Sequence, residues 1–184
     1  MKILKLPRRA TLDDLYGLDE KAELVDGEIV LMGGSGFHPT RAAGAVYRAL
    51  FDHECRRGGG YALTDGAVFA VGLPHRRSFC PDASWIAGEP RGGRFIVGAP
   101  ALAVEVRSEG DYGLRAERDM AAKRADYFAA GTRVVWDVDV LREGVVRVYR
   151  ADEPDCPTVY RRGEVAEAEP AVPGWRMAVD DALG

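Results

Sequence analysis

The sequence predicts one α/β domain, with a mixed central β-sheet flanked by a few α-helices. Two segments carry apolar residues at helical spacing, and short strand-like segments punctuated by Gly and Pro fill most of the remainder. No internal repeat or linker divides the 184 residues, of which 47% are hydrophobic and 29% charged, enough to bury a sizeable core. The expected domain spans residues 1–184, with its core at about 13–150.

Thr11 can cap the N–H groups of a first helical turn while Asp14 sits at its positive end, which predicts a short helix over 12–17. In Glu23 to Met32, two apolar runs flank Asp26-Gly27, a dipeptide that takes positive φ at both centres of a type I′ turn, so the segment reads as a hairpin. After the loop Gly33 to Gly36, the spacing of Ala42, Ala43, Val46, Tyr47, Leu50 and Phe51 predicts a helix from Pro39 to about Arg57, ended by Gly58 to Gly60. Strand signals follow over 61–71, 83–87, 95–97 and 101–106. A second long helix runs from Leu114 to Ala130, closed by Gly131 in the left-handed conformation. Strands return over 132–137, 145–150 and 158–161. The acidic, Ala-rich and Pro-bounded stretch 163–173 reads as a loosely held surface segment.

Charge and cysteine content narrow the function classes. The chain has 25 Lys and Arg against 29 Asp and Glu, a net charge of −4, which argues against a basic domain that coats nucleic acid nonspecifically. Cys55, Cys80 and Cys156 cannot all pair within the chain and show no CxxC spacing, which is the pattern of a reduced, cytoplasmic protein. Neither a signal peptide nor a membrane span is expected.

The chemistry rests on acids planted near apolar strands. In Ala101 to Val106, Leu102, Val104 and Val106 face one way, and Ala101, Ala103 and Glu105 the other. A carboxylate there either sits at an exposed strand end or is paired with a cation or metal. Asp82, in Pro81-Asp82, stands at the mouth of strand 83–87, and Glu23 heads the hairpin; each has a bland reading as a turn or strand-end residue. Asp119, Lys123 and Tyr127, spaced i, i+4, i+8, share a helix face, on which a solvated Asp–Lys pair beside an anchoring aromatic is the plain alternative. Met120, Ala121, Phe128 and Ala129 read as the core side of that helix. Should Glu23, Asp82, Glu105 and Lys123 converge, three mutually repelling carboxylates would call for a hard divalent cation, Mg²⁺ or Mn²⁺, and the lysine could orient or help deprotonate a water for attack on phosphorus.

The ordered set Glu23 to Glu28 (Glu-Leu-Val-Asp-Gly-Glu), His38 before a helix, Pro81-Asp82, Val104 to Ser108 (Val-Glu-Val-Arg-Ser), Lys123-x-x-x-Tyr127-x-x-x-Gly131 and Val135 to Asp139 (Val-Trp-Asp-Val-Asp) resembles the Uma-two-type family of restriction-like endonucleases, a branch of the PD-(D/E)XK nuclease superfamily. The likeness runs from about Asp13 to Tyr149. It implies a restriction-endonuclease-like fold and a metal-dependent endonuclease acting on DNA, with Asp82 and Glu105 as metal ligands, Glu23 as an additional acidic ligand, and Lys123 as the catalytic lysine. Where the superfamily's plain pattern places lysine two positions after the glutamate, this chain has Arg107, a poor base that could still hold a phosphate. His38, Arg107, Ser108 and Tyr127 are candidate substrate contacts, and Ser108-Glu109-Gly110-Asp111 adds two acids where the family commonly has Ser-Pro.

The pairs Arg8-Arg9, Arg56-Arg57, Arg76-Arg77 and Arg161-Arg162, with Arg91 and Arg94, would form a phosphate-contacting rim if they converged. The Gly33 to Gly36 loop lacks the Lys-Ser/Thr of a P-loop, Cys80 reads as a small buried hydrophobe, and Trp136 as core. The alternatives to a DNA endonuclease are a noncatalytic binding or assembly module on the same fold and a metal-dependent hydrolase of another phosphate ester. Cutting both strands with one site per chain predicts a homodimer. Setting Glu23, Asp82 and Glu105 aside leaves 26 acids against 25 bases, so the remaining surface is close to neutral.

Overall fold

The computed structural model describes residues 2–184. In chain order the elements are β1 (Lys2–Leu4), α1 (Leu12–Tyr16), β2 (Ala22–Val25), β3 (Glu28–Leu31), α2 (Phe37–Arg57), β4 (Gly60–Thr64), β5 (Phe69–Ala70), β6 (Ser78–Phe79), β7 (Ala83–Ala87), β8 (Ile96–Val97), β9 (Leu102–Val106), α3 (Leu114–Ala129), β10 (Val134–Asp139), β11 (Val145–Arg150), β12 (Glu153–Arg161), β13 (Val165–Glu167), β14 (Arg176–Ala178) and α4 (Val179–Leu183). Thr11 caps α1 in a reciprocal box with Asp14, and Asp26 and Gly27 turn the β2–β3 hairpin with φ of 53° and 76°. The stretch 61–71 is not one strand, because Asp65 and Gly66 turn the chain between β4 and β5, Gly66 at a φ of 91°.

A six-stranded sheet, in the order β12-β11-β10-β9-β7-β4, organises the molecule. Only β9 and β10 run parallel; α3 makes the crossover between them, and the other neighbours are antiparallel. One face packs on α2 through Ala42, Val46 and Leu50, together with Leu102, Val104, Trp136, Val146 and Val148. The opposite face holds Ala103, Tyr127, Val135, Tyr149, Phe69 and Phe79. The alternation expected along this stretch is present from Leu102 to Val106 and turns Glu105 toward the face covered by α3, while Ala101, just ahead of β9 and expected on the Glu105 side, packs in the α2-side core.

The C-terminal segment is not a loose tail. Ala166, Ala168, Ala171, Val172, Trp175, Met177, Val179, Ala182 and Leu183 are buried in the α2-side core. Trp175 packs on Trp136 at 4.9 Å between ring centroids and donates from Nε1 to the carbonyl of Ala49 on α2 at 3.2 Å. Composition hid this, because small apolar residues alternate there with exposed charged ones. The core side of α3 also differs from expectation. Ala121 and Ala129 are exposed and Met120 and Phe128 half-buried, while Asp126 and Tyr127 are its buried residues. Among the described residues, no helix is long and apolar enough to cross a membrane.

Candidate active site

Four elements deliver the cluster. Glu23 lies in β2, Asp82 just ahead of β7, Glu105 near the end of β9, and Lys123 and Tyr127 one turn apart on α3. Lys123 Nζ sits 2.9 Å from Glu23 Oε1 and 2.9 Å from Glu105 Oε2, and Tyr127 donates its hydroxyl to Glu105 Oε1 at 2.6 Å. Asp82 Oδ2 accepts the N–H of Val106 at 2.8 Å, while the Asp82 N–H donates to the Val104 carbonyl at 3.0 Å, so Asp82 is laced to the strand that carries Glu105. Glu23, Lys123 and Glu105 are thus joined directly, while Asp82 is tied to the group through the backbone of β9.

They do not converge as three carboxylates around one space. Among the described residues, no three His, Cys, Asp or Glu side chains are grouped to hold a metal ion. Glu23 is turned the other way: Oε2 accepts from Arg76 at 2.6 Å and Oε1 from the Cys80 N–H at 3.0 Å, with Lys123 between it and Glu105. Asp82 Oδ1 pairs with Lys21 at 2.8 Å, and Lys21 also reaches Asp65 at 2.6 Å. The oxygen donors that a hard divalent cation could use are thus Asp82, just ahead of β7, and Glu105 on the adjacent β9, each of which is paired with a lysine here.

The electrostatics follow from burial and neighbours. Burial pushes the Glu105 carboxyl up to about 7, reinforced by Asp82 and Glu23 and opposed by Lys123. For Glu23, burial acts in the same sense, but Lys123 and Arg76 hold it below its ordinary value. Lys123 pays for burial yet is raised by Glu105 and Glu23, so it keeps its proton at neutral pH. Burial and the Glu105 charge also hold the Tyr127 hydroxyl protonated.

The remaining candidates sit differently. Arg107 is buried and clamped, giving Nε and Nη2 to the two carboxylate oxygens of Asp137 at 2.7 and 2.6 Å and Nη1 to Glu117. The Ser108 amide and hydroxyl both donate to Asp111 at 2.8 Å, and His38 is exposed at the start of α2, its ring edge-on to Phe37. Asp119 is exposed beside Arg115 rather than paired with Lys123. Arg76 does not belong to a surface rim, being buried between Glu23 and Asp126.

Sequence reasoning missed Lys21, Arg76 and Asp126. Lys21 shares strand parity with Glu23, and Asp126 lies three residues beyond Lys123 on the helix face already singled out, so both carried a local signal. Arg76 carried none, because an arginine in a polar loop reads as solvated.

A family model described as "Uma2: Putative restriction endonuclease" matches residues 9–180. The chain belongs to the Uma2 family. The Uma2 chain also superposes on a crystal structure from Anabaena variabilis, described as a putative nuclease belonging to DUF820, with a TM-score of 0.76 at 17% identity, covering 94% of this chain and 97% of that one. That likeness carries the fold, which is restriction-endonuclease-like. The search of curated proteins found no match.

Proposed function

We propose that this Uma2 protein is a metal-dependent endonuclease that hydrolyses phosphodiester bonds in DNA. The observation that carries the reading is Lys123 Nζ held 2.9 Å from each of Glu23 and Glu105. An ammonium has three N–H donors, and two are spent on the carboxylates. The third is free for a phosphate oxygen or an attacking water. Because Lys123 keeps its proton, its work is orientation and charge stabilisation rather than proton abstraction. Glu23 fixes the amine from behind, and the Tyr127 hydroxyl fixes the rotamer of Glu105. Asp82 and Glu105 would hold Mg²⁺ or Mn²⁺, which when bound supplies Lewis-acid stabilisation of charge on phosphate oxygens and a more acidic water. The description of both family and structural neighbour as nucleases supports this reading.

Calorimetric titration with Mg²⁺ and Mn²⁺ and plasmid cleavage, run on the wild type and on Asp82→Ala and Lys123→Ala, test it. Metal binding lost in Asp82→Ala and cleavage lost in both variants is expected; cleavage retained in both overturns it. One observation favours the alternative of a noncatalytic binding module: Asp82 and Glu105 each already have a lysine partner, Lys21 and Lys123. Absence of metal binding together with salt-sensitive DNA binding by the wild type would establish that reading instead. For duplex cleavage the working unit is a cytoplasmic homodimer with one site per strand. A stable monomer by light scattering at micromolar concentration would overturn the dimer.

A further inference from the structure

Arg76 lies outside the four-residue cluster yet reaches it by three routes. Its Nη1 donates to Glu23 Oε2 at 2.6 Å, and Glu23 in turn holds Lys123. Its Nε donates to Asp126 Oδ2 at 2.7 Å, and Asp126 is on α3, three residues after Lys123 and next to Tyr127. Its guanidinium also lies 5.0 Å from the centroid of the Phe79 ring, which stacks on Tyr127 at 4.0 Å. The far oxygen of Asp126 faces His75 Nε2 at 2.6 Å, at the solvent edge of the network.

The backbone fixes this position. Val25 bridges Arg76 in antiparallel fashion, the Arg77 N–H donates to the Leu24 carbonyl at 2.9 Å, and the Ser78 hydroxyl accepts the Leu24 N–H at 2.8 Å. The 76–78 segment is thereby locked alongside β2, with Arg76 bracing Glu23 against α3. Stability alone gives no reason for such an arrangement, since buried ion networks are often replaceable by apolar side chains without loss. A guanidinium presents its donors in a rigid planar fork, which fixes the angles at which it meets Glu23 and Asp126 in a way the rotatable donors of an ammonium do not.

We propose that Arg76, held by Asp126, is a positioning residue of the hydrolytic site: it orients Glu23 so that Lys123 Nζ is shared between Glu23 and Glu105. The proposal rests on the endonuclease reading above for its kinetic consequence, but not for its geometric one. Freed of Arg76, Glu23 has no counter-charge except Lys123, which is drawn toward it and away from Glu105.

The test is a crystal structure and a steady-state cleavage assay of Arg76→Met. Lys123 Nζ leaving Glu105, with kcat down about 10²-fold and KM little changed, is the expected result, because a misplacement of about 1 Å costs about that much. Partial recovery in Arg76→Lys, which reaches Glu23 but cannot span to Asp126, is expected alongside it. Should Arg76→Met not fold, Arg76→Met with Asp126→Leu, which leaves no unpaired carboxylate at 126, carries the same readouts. Nζ still spanning both carboxylates overturns the proposal whatever the kinetics, as does a displaced Nζ with wild-type kcat. A wild type that cleaves nothing overturns the endonuclease reading, and the structural arm then decides the placement of Lys123 by itself.

Discussion

Glu105→Gln should make the metal-free protein more stable at neutral and alkaline pH. The Glu105 carboxyl titrates at about 7 in the fold against an ordinary 4.5, so between those values the native state binds more protons than the unfolded chain. Stability therefore falls as pH rises through that window and levels off above it. The displacement corresponds to about 3 kcal/mol as an upper value. Solvent reduces it, since 22% of the side chain stays exposed. A neutral glutamine can still accept from Lys123 or Tyr127, so it keeps most of the contacts of the protonated carboxyl without the charge.

Urea or thermal unfolding of both proteins, at about pH 5 and about pH 8, reads the effect; titrating groups away from Glu105 cancel in the difference, and Lys123 and Tyr127, which Glu105 raises, keep their protons across this range. The variant should gain on the wild type by up to about 3 kcal/mol across this range, roughly 6–12 °C in Tm for a chain of this size. A difference that stays flat with pH would refute the reasoning. A wild type that gains on the variant as pH rises would show that the Lys123 ion pair outweighs the burial of Glu105.

Other perturbations separate the remaining parts of the argument. Tyr127→Phe keeps the stack on Phe79 but loses the hydroxyl that donates to Glu105, and should cost about 1.5–3 kcal/mol by urea denaturation; an unchanged midpoint would deny that bond. Trp175→Ala should cost about 3–5 kcal/mol, because the ring is buried between α2 and Trp136; a near-neutral effect would restore the view of the C-terminal segment as loose. Gly60→Ala places a Cβ 2.0 Å from the Ile86 carbonyl oxygen and 2.7 Å from the Trp85 ring, so soluble yield and Tm should both drop, by about 3 kcal/mol or more; wild-type stability would contradict the β4–β7 register. Lys21→Met removes the amine 2.8 Å from Asp82, leaving Asp82 and Glu105 to repel each other, and should enlarge the rise in Tm on adding Mg²⁺; an equal rise in both proteins would refute a role for Lys21 in balancing that pair.

Much of the fold was legible because its signals are local. Asp26-Gly27 specifies its turn through two positive φ angles, Thr11 and Asp14 specify a cap, and alternation along Leu102 to Val106 specifies which face Glu105 joins. The spacing of Lys123 and Tyr127 placed both on one face of α3, and both contact Glu105. The C-terminal segment was misread because its alanines are too small to raise local hydropathy, although they fill the space left between the sheet and α2.

Partnerships between charges are a different matter. The sequence by itself determined the side of β9 that Glu105 takes and the face of α3 that Lys123 shares with Tyr127. Only the tertiary structure decided that Lys123 stands between Glu23 and Glu105, that Lys21 takes Asp82, and that Arg107 is consumed by Asp137 and Glu117 while Arg76 is drawn inside to Glu23 and Asp126. Periodicity is a property of neighbours along the chain, whereas an ion pair needs two groups within about 4 Å of each other, whatever their separation in sequence. Arg76 and Glu23 are 53 residues apart, and the backbone pairing that joins them is invisible until the chain has folded.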